Sequence, residues 1–100
     1  MKVFISQPMN NKTNDFIEAE RSAAINRIKE KYSNEDVEAI DSFFKDAPHD
    51  AKPMWFLGKG IMLMNDADLV YFCKDWEIYR GCRIEHDIAI AYGKKIMHEE

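Results

Sequence analysis

Leu69-Val70-Tyr71-Phe72-Cys73 is apolar at every position, and this run constrains the fold more than any other feature of the chain. A strand with one wet face alternates apolar and polar residues, whereas an unbroken run implies burial on both faces, as in a parallel sheet covered by helices. The expected strand spans Asp68 to Cys73. Lys2-Val3-Phe4-Ile5-Ser6 is a second short apolar run, ended by the turn-rich loop Gln7-Pro8-Met9-Asn10-Asn11. Ile17, Ala24 and Ile28 recur at helical spacing with Ile25 and Tyr32 beside them, and Thr13-Asn14-Asp15 offers capping oxygens, with Glu18 available to close a capping box. This predicts a helix from about Thr13 to Tyr32. A further strand is expected at Val37 to Asp41. Ser42 to Pro53, with Pro48, His49 and Asp50, reads as a long irregular connection of the kind that covers sites.

Leu57, Ile61 and Met64 place a helix over Met54 to Asp66, weakened at Gly58 and Gly60. Ile84, Ile88 and Ala91 share one face of a last helix from about Arg80 to Tyr92, with Gly93 as its stop and a final strand at Lys94 to His98. Strands that alternate with helices need crossovers between parallel neighbours, and four units are too few to close a barrel. The expected fold is an α/β, three-layer, doubly wound domain of flavodoxin or Rossmann type, with a four-stranded parallel sheet in the order 2-1-3-4.

A chain of 100 residues, 46% of them hydrophobic, makes a single domain over residues 1–100 with one active site at most. Its formal charge of −4 and pI near 5.4 argue against duplex nucleic acid as a partner, since phosphate-backbone affinity needs many cations on one face. A small anion can still bind locally. No run approaches the roughly 20 apolar residues that cross a bilayer, and Met1 to Ile5 lacks a signal-peptide pattern, so no membrane partner is expected and the expected location is the cytoplasm. Cys73 and Cys82 are expected to be reduced thiols. His49, His86 and His98 show no metal-ligand spacing, and neither a Walker loop nor G-x-G-x-x-G follows the first strand. No metal and no cofactor are expected, and ATP hydrolysis and dinucleotide redox chemistry fit poorly.

Gly81-Cys82-Arg83-Ile84-Glu85-His86 seats one carboxylate, Glu85, in what reads as the first turn of the last helix, facing the crevice at the strand ends. A helix N-terminus favours the ionised form by a few tenths to about 1 kcal/mol. On the residues alone Glu85 either does chemistry there or merely complements the helix dipole or pairs with Arg83. Arg80 and Arg83 suit an anion together with the first-turn N–H groups, or are solvent-exposed. Asp75, past the third strand, is the local candidate for a proton donor or else a solvated turn residue. Among the aromatics Trp55, Phe56, Tyr71 and Trp76, only Trp76 is nominated as a base-stacking surface, with packing as its other reading.

Val3-Phe4-Ile5-Ser6-Gln7-Pro8-Met9-Asn10, Tyr71-Phe72-Cys73, Asp75-Trp76 and the Gly81 to His86 segment together resemble the nucleoside 2-deoxyribosyltransferase-like family, and within it a short branch found in phages and bacteria. The likeness runs from Met1 to Ile96. It implies that Glu85 is a nucleophile, with Gly81 as the turn glycine and Ala89 as the small helix residue. It further implies that the loop from Ser6 through Gln7, Pro8, Met9 and Asn10 to Asn11 meets sugar or 5′-phosphate. The implied activity is 2-deoxyribosyl transfer between bases or N-glycosidic hydrolysis of a nucleoside 5′-monophosphate, so the implied small-molecule partner is a nucleoside or nucleotide. Relatives often complete each pocket with a neighbouring subunit, and the small core and two sheet edges also lead us to expect a homodimer. The chain departs from the family at Tyr79, where an aspartate is usual, and at Asn11, where a glycine often follows the asparagine. A nucleotide-binding protein without catalysis and a small interaction protein are the alternative expectations.

Overall fold

The computed structural model describes all 100 residues, and its elements follow the expected order. They are β1 (Lys2–Ser6), α1 (Asn14–Lys31), β2 (Glu38–Ala39), α2 (Pro53–Met64), β3 (Leu69–Phe72), α3 (Arg80–Ala91) and β4 (Lys95–His98), with a 3₁₀ turn at Trp76–Ile78. The four strands form one all-parallel sheet in the order β2-β1-β3-β4. β1 and β3 pair through Val3 with Leu69, Phe4 with Val70, Ile5 with Tyr71 and Ser6 with Phe72.

Alternation along the two central strands divides the core between the sheet faces. Val3, Ile5, Leu69, Tyr71 and Cys73 pack against Ala24 and Ile28 of α1. Phe4, Val70 and Phe72 pack against Met64 of α2 and Ala89 of α3. One helix on one face and two on the other complete the three layers. Complete burial of Tyr71 and Phe72 accounts for the unbroken apolar run, and each buried side chain of this size contributes about 1.5–3 kcal/mol.

The helix ends are set by local chemistry. Thr13 caps α1, its Oγ1 accepting from the Phe16 N–H at 3.1 Å. Glu18 closes no capping box; it is two residues beyond the position such a box requires and pairs instead with Lys45 Nζ at 3.1 Å. Pro53 opens α2, one residue before the expected start, because a proline needs no N–H at the first helical position. Gly93, at φ 66°, ends α3, with its N–H on Ile90 O and the Lys94 N–H on Ala89 O. β2 is only two residues long, shorter than the expected Val37–Asp41, since its pairing with β1 stops at Val3 and Ala39. No helix is long and apolar enough to cross a membrane.

Candidate active site

A cavity of about 750 Å³ opens at the carboxyl edge of the sheet. The chain turns one way from β1 to β2 and the other way through β3 and β4, which makes β1 the switch point where ligands sit in such folds. Three segments that follow strands wall the cavity: the loop after β1 with the start of α1, the connection after β2 with one side of α2, and Tyr79 with the first half of α3. Glu85 lies on the wall formed by α3 and is the only Asp or Glu lining the cavity.

The Glu85 carboxyl is held on one side and free on the other. Ser6, the last residue of β1, donates its hydroxyl to Oε1 at 2.7 Å. Oε2 faces Gly60 of α2, so closely that a Cβ on Gly60 would lie 2.7 Å from it and 3.4 Å from Phe4 Cζ. No cation pairs with Glu85; the two salt bridges in the molecule are Arg27–Glu99 and Lys45–Glu18. Burial between α2 and β1 pushes the carboxyl up to about 7, and the hydrogen bond from Ser6 only partly opposes that rise. The expected place in the first helical turn, where the N–H groups would favour the ionised form, is not the one observed. Glu85 is the sixth residue of α3, past the first turn where the exposed N–H groups act, so desolvation outweighs the helix dipole.

Of the other residues singled out by sequence, Gln7, Pro8, Met9, Asn10, Arg80 and Gly81 line the same cavity as Glu85. Ser6 is buried and reaches it through Glu85. Three nominated residues are not brought to the cavity. Asp75 is exposed, with φ 68°, in the turn that starts the 3₁₀ segment. Arg83 is exposed on the outer side of α3 and makes no ion pair with Glu85. Trp76 stacks on His86 at 4.1 Å between ring centroids and packs on Phe72, so its indole serves the α3–β4 side of the sheet. The flat surfaces in the cavity wall are instead Phe4, Phe43, Phe44, Phe56 and Tyr79. Tyr71 is wholly buried, its hydroxyl accepting from Arg27 at 3.2 Å.

Several site residues carried no signal that a single sequence makes readable. Lys12 lines the cavity with its Nζ 4.9 Å above the Phe16 ring and 5.7 Å from that of Tyr79, joining residues that only the fold brings near. The connection after β2 does cover the site, through Ser42, Phe43, Phe44, Ala51 and Pro53. Arg21 fastens it, donating to Ser42 Oγ and Ile40 O at 3.1 Å each. Cys73 and Cys82 are both free and buried, and burial pushes the Cys82 thiol up to about 11, leaving it protonated at neutral pH. His86 and His98, far apart in sequence, meet Nε2 to Nε2 at 3.0 Å. No protein-family model matches the chain, and a search of curated proteins finds no significant match.

Proposed function

We propose that the protein cleaves or exchanges the N-glycosidic bond of a 2-deoxynucleoside or its 5′-monophosphate, with Glu85 as nucleophile. One observation carries this reading: a single carboxyl, fixed by Ser6 at 2.7 Å and unpaired by any cation, stands in the wall of a cavity of about 750 Å³. That volume falls within the usual range of small-molecule sites, about 300–1,000 Å³.

Oε1 is occupied by the Ser6 hydroxyl, so Oε2 is the oxygen with free lone pairs. Its attack on the anomeric carbon forms a C–O ester bond as the C–N bond breaks, and that electron pair leaves with the base. Water or a second base then opens the ester at the same carbon and returns the carboxylate. A carboxyl at about 7 is roughly half ionised at neutral pH, which leaves a nucleophilic population without a neighbouring cation. Phe43, Phe44 and Phe56 offer faces against which a base stacks, and Lys12 and Arg80 supply positive charge for a phosphate. Tyr79 and Lys12 are proton-bearing side chains in the wall, and the leaving base takes its proton from one of them or from solvent.

Nucleotide binding without turnover is the second reading, and a different observation favours it: Asp75 lies outside the cavity and no other carboxyl joins Glu85 there. Two assays with the same compounds separate the readings. Chromatography of deoxynucleosides and their monophosphates incubated with the protein, with and without an acceptor base, detects free or exchanged base if the bond is cleaved. Glu85→Ala abolishes that product. Thermal stabilisation by the same compounds with no product identifies binding alone. The homodimer belongs to the same proposal, supported by Met54 and Met62 on the outer side of α2, which are 84% and 71% exposed.

A further inference from the structure

Cys73, Glu20 and Glu99 meet on the face of the sheet that α1 covers, away from the face that carries Glu85. The Cys73 sulfur and one carboxylate oxygen of each glutamate all lie within 4.8 Å of one another. The three residues come from α1, from just past β3 and from just past β4, so no spacing in the sequence announces them. Their charge is poorly balanced within the protein. Glu20 pairs with no cation, and Arg27 meets only Glu99 Oε1, at 3.4 Å. Arg21, the other cation near the thiol, is turned to Ser42 and Ile40. The Lys74 N–H also takes Glu99 Oε1, at 3.3 Å, and the Gln7 amide takes Glu20 Oε1, at 2.8 Å, which leaves Oε2 of each glutamate without a partner. Neither Oε2 is sealed off, since Gln7 Oε1 is the only buried side-chain oxygen without a partner, and so both are open to an ion arriving from solvent.

Gln7 supplies an independent observation at the same place. Ser6 pairs with Phe72 and the Cys73 N–H meets Ser6 O at 3.0 Å, which sets Gln7 beside Cys73, and the Gln7 side chain runs to α1, where its Nε2 is held by Ile17 O and Glu20 Oε1. Its Oε1 is therefore an unpaired acceptor on a residue 8% exposed, at the edge of the cluster, where nearly all such groups are paired. We propose that Cys73, Glu20 and Glu99 bind one thiophilic divalent cation of the zinc class, with Gln7 Oε1 or a water in the fourth position. A thiolate with carboxylates suits zinc or cobalt(II), whereas calcium and magnesium take oxygen ligands alone. Bonds of about 2.3 Å to sulfur and 2.0–2.2 Å to oxygen set tetrahedral ligands about 3.4–3.6 Å apart, so the donors close in by about 1 Å, within reach of a glutamate rotation. Burial and the two carboxylates keep the free thiol protonated. As the metal–sulfur bond forms, that proton passes to solvent. The bound ion ties α1 to the ends of β3 and β4, and its role is structural.

Cobalt(II) titration of the metal-stripped full chain tests the site, because a thiolate ligand gives a sulfur-to-cobalt charge-transfer absorption that carboxylates and imidazoles do not. One equivalent is expected to saturate the band in the wild type, and one equivalent of zinc to abolish it. The band should survive in Cys82→Ser and be lost in Cys73→Ser. Glu20→Gln and Glu99→Gln should each weaken binding by about tenfold or more, no less than the loss of an outer-shell partner does. Absence of the band in the wild type, a band that needs millimolar cobalt, a band that persists in Cys73→Ser, or glutamine variants that bind as tightly as the wild type each overturns the proposal. Should Cys73→Ser not fold, X-ray absorption at the zinc edge of Cys82→Ser decides. One sulfur at about 2.3 Å among oxygen ligands is expected, and a shell of nitrogen without sulfur, which capture by the His86–His98 pair gives, overturns it.

Discussion

A carboxyl that burial lifts from its ordinary value near 4.5 to about 7 ties the stability of this chain to pH in an unusual direction. Between those values the folded protein holds a proton on Glu85 that the unfolded chain releases, so stability falls as pH rises from about 4.5 to 7 and stays reduced above that. Full ionisation costs on the order of 2 kcal/mol once partial exposure is allowed for. Glu85→Gln should therefore melt several degrees above the wild type at pH 8 and within about a degree of it at pH 5, as read by calorimetry at both pH values. Ser6→Ala, which removes the one hydrogen bond that favours the ionised form, should move the alkaline-rising limb of any Glu85-dependent activity to higher pH. Glu85 itself was legible in the sequence, because a carboxylate in the first half of a helix that follows a buried strand stands out in one dimension. Its protonation was not, since that depends on Gly60 and Phe4, which arrive from other elements. Which of the two readings of Trp76 holds was not legible for the same reason: its position in the chain points to the crevice, but His86 and His98 take its ring, so packing is the one observed.

At the level of elements, the two glycines of α2 separate packing from propensity. Both weaken the helix intrinsically, by about 1 kcal/mol each relative to alanine. A Cβ at Gly58 meets nothing within 4 Å, whereas one at Gly60 meets the Glu85 carboxylate and the Phe4 ring. Gly58→Ala should accordingly raise the urea midpoint, by about 0.5–1 kcal/mol in stability, and leave base release unchanged. Gly60→Ala should gain nothing in stability and reduce base release by about tenfold or more, because Glu85 is displaced from its seat against Ser6. Helix and strand positions could be read from periodicity and caps, and most ends fell within one or two residues. β2 was placed but its length was not, since a strand of two residues is bounded by its partner's pairing and not by its own composition. The 3₁₀ turn at Trp76–Ile78 was likewise invisible, because the left-handed Asp75 that initiates it leaves no periodic trace.

For the whole molecule, alternation of buried strands with helices was enough to give the doubly wound parallel class, and the order 2-1-3-4, chosen among the few that right-handed crossovers allow four strands, is the one observed. The cavity wall was harder to read: it draws on three loops and three helices, and residues such as Lys12 and Phe43 acquire meaning only from what faces them. The proposed homodimer should appear as a doubled mass in sedimentation at micromolar concentration, and Met54→Asp with Met62→Asp should return it to a monomer by placing charge on the outer side of α2. The central claim, that Glu85 in this cavity breaks an N-glycosidic bond, is tested most directly by the rate of base release from deoxynucleosides and their monophosphates, measured from pH 5 to 9 on the wild type and on Glu85→Gln. The account predicts release that rises through a midpoint near 7 as Glu85 ionises, and none above background in the variant. Release that persists in Glu85→Gln, or no release by the wild type at any pH, would contradict it.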